Sequence, residues 1–324
     1  MKRVSVLGAA LLLLLLVGGC VSSMYSQVMG PYYLKQQEYS EGIEAFTTRL
    51  KENPQDHVAA FYIGRYHLAL NKPDKALPYL QKAAAMAPDN ADYRFWIGVA
   101  HWAKLDFAEE RKAYKAALKL DPDHISANLY LGHGYVDEGQ WAKALARYDK
   151  VIELDPYNPE ALYNRSVALE GLGKKAEEIA ALKKFLEYYP DGSLAMRAAT
   201  RLNLLGDFTY RNAIIGKRNV TIKSVVFKPG TDELVYESKE SLQVVSAMME
   251  VNDKLALHIV AYKDGDVAAA KARAHNVRNA LLAGHPGISP SRLPLSWFGS
   301  AEPYELEGKS FSIKDSVQFI TVTK

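Results

Sequence analysis

The sequence predicts an all-α solenoid of helical hairpins followed by an α+β domain. Prolines recur at Pro54, Pro88, Pro122, Pro156 and Pro190, each 34 residues after the one before, and a fixed period of this length marks stacked helical units. After Gly206 the period stops, and from Val220 an alternating, β-branched pattern takes over, which is the periodicity of strands. The 40 Lys+Arg against 37 Asp+Glu leave a net charge of +3 over 324 residues. That balance lacks the basic footprint of a nucleic-acid binder, so no nucleic-acid partner is expected.

The first element is an address. Met1-Lys2-Arg3 precedes an apolar stretch from Val4 to Val17 that contains Leu11 to Leu16. It is shorter than the roughly 20 residues of a membrane-spanning helix and fits a signal peptide over residues 1–19. Val17-Gly18-Gly19-Cys20 resembles the lipobox of bacterial lipoproteins. The resemblance implies cleavage before Cys20, its diacylation, and acylation of the new terminus, making residues 20–22 a lipidated N-terminus. Several acyl chains make a stable membrane anchor where one is marginal. Enterobacterial lipoproteins with Asp after the cysteine stay in the inner membrane; here that residue is Val21, which implies the outer membrane, facing the periplasm. Cys20 is the only cysteine, so intramolecular disulfides, multi-thiolate zinc sites and CxxC redox chemistry are excluded.

Residues 23–205 read as about five repeats, 23–56, 57–90, 91–124, 125–158 and 159–192, with Leu194 to Leu205 as a capping helix. Aligned on the prolines, Gly64, Gly98 and Gly132 share a column with Ser166; Gly30 fits one period earlier. Other columns read Phe46, Leu80, Tyr114, Tyr148, Leu182 and Gly42, Ala76, Ala144. A small residue lets paired helices approach, a large apolar one fills the space beyond, and proline ends each unit. These columns resemble the tetratricopeptide repeat. The last repeat departs at Ser166, Lys175 and Glu178.

The resemblance implies a concave groove lined by first helices, with Phe61, Arg65, Phe95, Trp102, His133 and Tyr163 among the facing positions, and a protein or peptide as its ligand. The Lys and Asn columns by which chaperone-binding relatives hold a terminal carboxylate are missing. Inter-repeat packing is the competing reading for the aromatic positions, since such rings dominate cores as readily as interfaces. His67 and His101 share a column, but matching positions of stacked helices lie too far apart to coordinate one ion. No metal or cofactor is expected.

The C-terminal region begins with a polar stretch, 206–219, read as a linker. Val220 to Phe227, Leu255 to Tyr262, Arg292 to Phe298 and Ser316 to Val322 read as strands, and Leu234 to Val251 and Asp266 to Ala283 as helices. The order is β-α-β-α-β-β over 220–324. With Phe227-Lys228-Pro229-Gly230-Thr231, Ala261-Tyr262-Lys263-Asp264 and Arg273-Ala274, this order resembles the OmpA-like domain. The resemblance implies peptidoglycan as a partner, Asp264 accepting from the ammonium of its diaminopimelate and Arg273 gripping the carboxylate in a bidentate fork. Lys263 replaces the family's Thr, the Asp-to-Arg loop is shortened, and Lys314-Asp315-Ser316 replaces Asn-Arg-Arg. The competing reading makes Asp264 a turn residue and Arg273 a solvated helix residue.

The sequence holds no G-x-S-x-G, no HExxH and no catalytic cysteine, so no enzyme is expected. The leading expectation is a lipoprotein scaffold that binds a protein through its repeats and tethers the outer membrane to peptidoglycan. The alternative is an assembly factor or subunit of an envelope machine whose last domain binds protein.

Overall fold

In the computed structural model of the chain, residues 24–322 are described; the expected signal segment and Cys20 lie outside them. The chain forms two compact units, Met1–Pro156 and Tyr157–Lys324.

The first unit is helical: α1 over 24–36, α2 Tyr39–Glu52, α3 His57–Ala69, α4 Pro73–Met86, α5 Ala91–Ala103, α6 Phe107–Leu120, α7 Ile125–Asp137 and α8 Trp141–Leu154. The 34-residue period sets the ends of the helices. Asp56, Asn90 and His124 cap α3, α5 and α7, each side chain accepting from the amide three residues on, which satisfies an otherwise orphaned donor. Past the ends of α1, α3, α5 and α7 stand Gln37, Asn71, Leu105 and Gly139, with φ of 62°, 54°, 60° and 67°, the left-handed turn that closes a helix. Pairing within each repeat depends on close approach. A Cβ on Gly98 would lie 2.4 Å from the Tyr114 ring, and one on Gly64 2.6 Å from Leu80. Tyr66, Leu80, Tyr114 and Tyr148 are fully buried.

The second unit opens with α9 Pro159–Gly171, α10 Lys175–Tyr188 and α11 Gly192–Leu204. Ser166 keeps its hydroxyl satisfied by donating to the Tyr163 carbonyl at 2.6 Å. Glu178 is buried in the column that holds Gly42, Ala76 and Ala144 in other repeats and Glu110 in the third; Arg201 of α11 donates to it at 2.5 and 3.1 Å. The capping helix thus supplies the counter-charge that this departure needs.

After α11 come β1 Tyr210–Ile215, β2 Arg218–Lys223, α12 Tyr236–Glu250, β3 Ala256–Lys263, α13 Val267–Gly284, β4 Leu295–Phe298, β5 Glu302–Leu306, β6 Lys309–Ile313 and β7 Asp315–Val322. The central sheet runs β4-β3-β7, with β4 parallel and β7 antiparallel to β3. Its core joins Leu257 and Ile259 of β3 to Leu242 and Val245 of α12 and Val277 and Leu281 of α13. Asp266 caps α13 by accepting from the Ala269 amide.

Two expectations need correction. Residues 206–219 are not a linker, because they carry β1, which pairs with β2 across the Gly216 turn (φ 66°). Its polar groups are structural: Asn212 donates to the Met196 carbonyl and to Thr200, and the carbonyls of Asp207 and Tyr210 accept from buried Asn203 of α11. The hairpin β5–β6 was absent from the expected strand order; its turn, Glu307-Gly308, has φ of 48° and 75°.

Candidate functional site

In the first unit, the expected groove residues fall into two kinds. Phe61 and Phe95 are buried. Phe61 lies 4.8 Å from the Tyr93 ring, and Phe95 lies 5.5 Å from Tyr114 and 5.6 Å from Tyr130. Each cements one repeat to the next, as the packing reading had it, with too little surface left to grip a ligand.

Arg65, Trp102 and His133 remain accessible. The Arg65 guanidinium stacks 3.3 Å over the Trp96 ring and 5.5 Å from Phe61. Burial lowers its pKa to about 10, against the opposing pull of Tyr62 and Asp92. Such a guanidinium is held flat by cation–π attraction. Asp92 takes a hydrogen bond from His124 at 3.1 Å, which holds its carboxyl below the usual range. A cavity of about 250 Å³, lined by His57, Phe61, Asn90 and Tyr93, adjoins this cluster. Trp102 is 53% exposed, with Leu105 and Phe107 exposed nearby in sequence. The His133 ring sits 5.6 Å from Tyr130.

In the second unit Tyr163 lines a cavity of about 530 Å³ with Val167, Glu170, Met196 and Arg197. Arg197 lies 5.5 Å over its ring. Part of the wall comes from Asn212 and Glu307 of the strand region, a contribution that repeat columns cannot reveal.

Arg273 and Asp264 are not joined in one site. Arg273 is 6% exposed, and each of its three guanidinium nitrogens has a partner. Nε donates to Asp232 at 3.0 Å, one terminal nitrogen to Asp315 at 2.5 Å, and the other to the Thr231 carbonyl at 3.2 Å. The Phe227 ring covers its face at 4.5 Å. Asp264 is exposed, and its amide donates to the Lys314 carbonyl. Lys263 reaches Asp315 at 3.3 Å. Asp315 pairs directly across β3–β7 with Lys263, so backbone register holds its carboxylate against Arg273. Arg273 is therefore a buried, internally paired residue rather than a solvated one. Asp232 and Asp315 escaped the sequence reading; an acidic residue in Lys314-Asp315-Ser316, where the resemblance expects arginines, was the available signal.

Tetratricopeptide-repeat models match residues 63–125, 132–173 and 160–192. The anaphase-promoting complex subunit CDC16 of Saccharomyces cerevisiae is 25% identical over 198 residues, 58% of this chain and 24% of that protein. The chain thus spans about a quarter of the length of that curated relative. Among solved structures, PilW, titled a widely conserved type IV pilus biogenesis factor, is 18% identical with a TM-score of 0.50, over 71% of this chain and 93% of its own. YrrB, titled a TPR protein with an unusual peptide-binding site, is 20% identical with a TM-score of 0.45, over 52% and 87%. The chain carries a helical tetratricopeptide solenoid, followed by a small strand-containing region. Such repeats are protein-interaction scaffolds, and their fold suits a protein or peptide partner.

Proposed function

We propose that the chain is a non-enzymatic envelope lipoprotein, anchored through Cys20 in the outer membrane, that holds a protein partner in its repeat groove and uses its OmpA-like domain as a second protein-binding module. The observation that carries the last part is the commitment of Arg273. A ligand carboxylate would have to displace Asp232 or Asp315 from a buried guanidinium that already has three polar partners. Asp232 and Asp315 are themselves partly exposed, so such an exchange trades one carboxylate for another with little net gain in binding, and an exposed Asp264 adds little to it. This favours an assembly factor or machine subunit over a peptidoglycan tether.

The groove's chemistry supports a partner with both apolar and acidic groups, since Trp102 offers exposed ring surface and Arg65 a guanidinium. Two modest sites on one chain give useful avidity when geometry lets both engage. The test is photo-crosslinking in cells from a photoreactive phenylalanine analogue at Trp102, with the same analogue at exposed Lys119 as control. A discrete protein adduct from position 102 alone is expected; equal labelling from both positions would remove the groove from the account. Mass spectrometry of the N-terminal peptide tests the anchor, with three acyl groups on the Cys20 terminus as the expected result.

A further inference from the structure

Among the described residues, helix α1 has one face fixed against the repeats and one face left exposed. Inside, the buried Ser26 hydroxyl donates to Asp56 at 2.9 Å and the Tyr66 hydroxyl donates to the Gly30 carbonyl at 3.1 Å. A Cβ on Gly30 would lie 2.2 Å from the Tyr62 ring. These contacts set the rotation of the helix about its axis. The outward positions are then Met24, Val28 and Tyr32, spaced at i, i+4 and i+8, and they are 66%, 64% and 45% exposed. Lys35 extends the same side and is exposed. From Val21 to Gln37 the sequence contains no carboxylate.

We propose that this face of α1 lies on the bilayer that holds the Cys20 acyl chains, so that the first repeat is seated on the membrane surface. The proposal rests on the reading of Cys20 as the anchored residue. Only three residues separate Cys20 from Met24, and even fully extended they let Met24 stand no more than about 14 Å from the anchored cysteine. The stripe is therefore delivered to the lipid headgroups by the anchor itself. Its chemistry suits that place. Apolar and aromatic side chains with a neighbouring lysine and no acid are what an interfacial helix presents to a lipid surface. The anchor restrains position and the stripe restrains orientation, presenting the repeats to their partner at a set angle.

Oxidative footprinting reads this on the native chain, because Met24 and Tyr32 report their own exposure and Trp102 is an internal control. Two preparations separate the proposal from the reading beneath it. In one, cell-acylated protein is reconstituted into vesicles of phosphatidylethanolamine and phosphatidylglycerol. In the other, unacylated chain 20–324 is coupled through its single thiol, Cys20, to a maleimide lipid in the same vesicles. Oxidation of Met24 and Tyr32 slowed several-fold in both, relative to the untethered chain and with Trp102 unchanged, is the expected result. Absence of acyl groups on the cellular protein, with protection intact in the coupled preparation, would sink the lipoprotein reading and leave the helix face intact. Unchanged Met24 oxidation in the coupled preparation would overturn the proposal. So would protection that needs no vesicle and rises with protein concentration, since the occupant would then be a second copy of the chain.

Discussion

Gly132 and Gly134 stand two residues apart in α7, and the packing account assigns opposite signs to the same substitution at the two positions. Alanine is worth about 0.5–1 kcal/mol over glycine in a helix interior, because it loses less backbone freedom on folding. At Gly134 the added methyl would meet only Arg111, at 3.5 and 3.6 Å, an ordinary contact with a flexible side chain. Gly134→Ala should therefore stabilise by about 0.5–1 kcal/mol. At Gly132 the methyl would sit 2.7 Å from one carbon of the Tyr148 ring and 3.1 and 3.2 Å from two others. Carbon atoms pack comfortably at about 3.5–4.0 Å, so the shortfall approaches an ångström. Tyr148 is fully buried and has nowhere to retreat. Overpacking of this kind costs about 1–3 kcal/mol, which outweighs the propensity gain. The assay is urea unfolding of the chain without its signal segment, followed by far-ultraviolet circular dichroism, with midpoints compared at matched m-values. A Gly132→Ala protein as stable as Gly134→Ala would refute the close-approach account of the repeats.

Three further substitutions probe other parts of the account. Leu105 holds a φ of 60° in the column where Gly139 stands one period on, and it is 73% exposed; Leu105→Gly should raise stability by about 1 kcal/mol by removing left-handed strain, read as a higher melting temperature. Burial pushes the Glu110 carboxyl up from 4.5 to about 7. A raised folded-state value means that the unfolded chain releases its proton first, so stability falls as pH rises between those two values. Glu110→Gln should match the native chain near pH 4 and exceed it by about 1–3 kcal/mol at pH 8, and a constant difference across that range would contradict the assignment. Arg211 donates to Glu302 at 2.6 and 2.9 Å, and Glu302 is fully buried and also accepts from Gln318. Arg211→Ala strands that carboxylate and should cost about 3–5 kcal/mol, whereas a loss below 1 kcal/mol in thermal unfolding would show that the carboxylate finds other partners.

The repeats were legible because one spacing governs several independent requirements. Proline ends, capping residues at Asp56, Asn90 and His124, and the glycine–tyrosine contacts all recur at 34 residues, so any one column calibrates the others. The central strands and helices after residue 235 were legible for a simpler reason: β3, α12 and α13 are long and patterned on one face. β1 was hidden because Arg211 and Asn212 make it read as polar, and its polar groups bond to α11 and Glu302 rather than to water. The β5–β6 hairpin was hidden because Glu302-Pro303-Tyr304-Glu305-Leu306 has little β-branched content. The site divides in the same way. Column position singled out Arg65 and Trp102, but it cannot tell a groove residue from one that seals two repeats, and Phe61 and Phe95 do the latter. At Arg273 the residue type was visible while its state depended on Asp232 and Asp315, which lie 41 and 42 positions away in sequence.

The central claim, that this scaffold works through protein partners because Arg273 is already satisfied, is tested most directly by co-sedimentation of the full mature chain with purified peptidoglycan sacculi, with and without free diaminopimelate. An Asp264→Ala chain serves as a variant that leaves the buried cluster untouched. The account predicts that the native and Asp264→Ala chains both stay in the supernatant, whether or not diaminopimelate is present. Pelleting of the native chain that diaminopimelate reverses and Asp264→Ala abolishes would contradict it, and would mean that Asp315 yields its place on Arg273 to the cell wall.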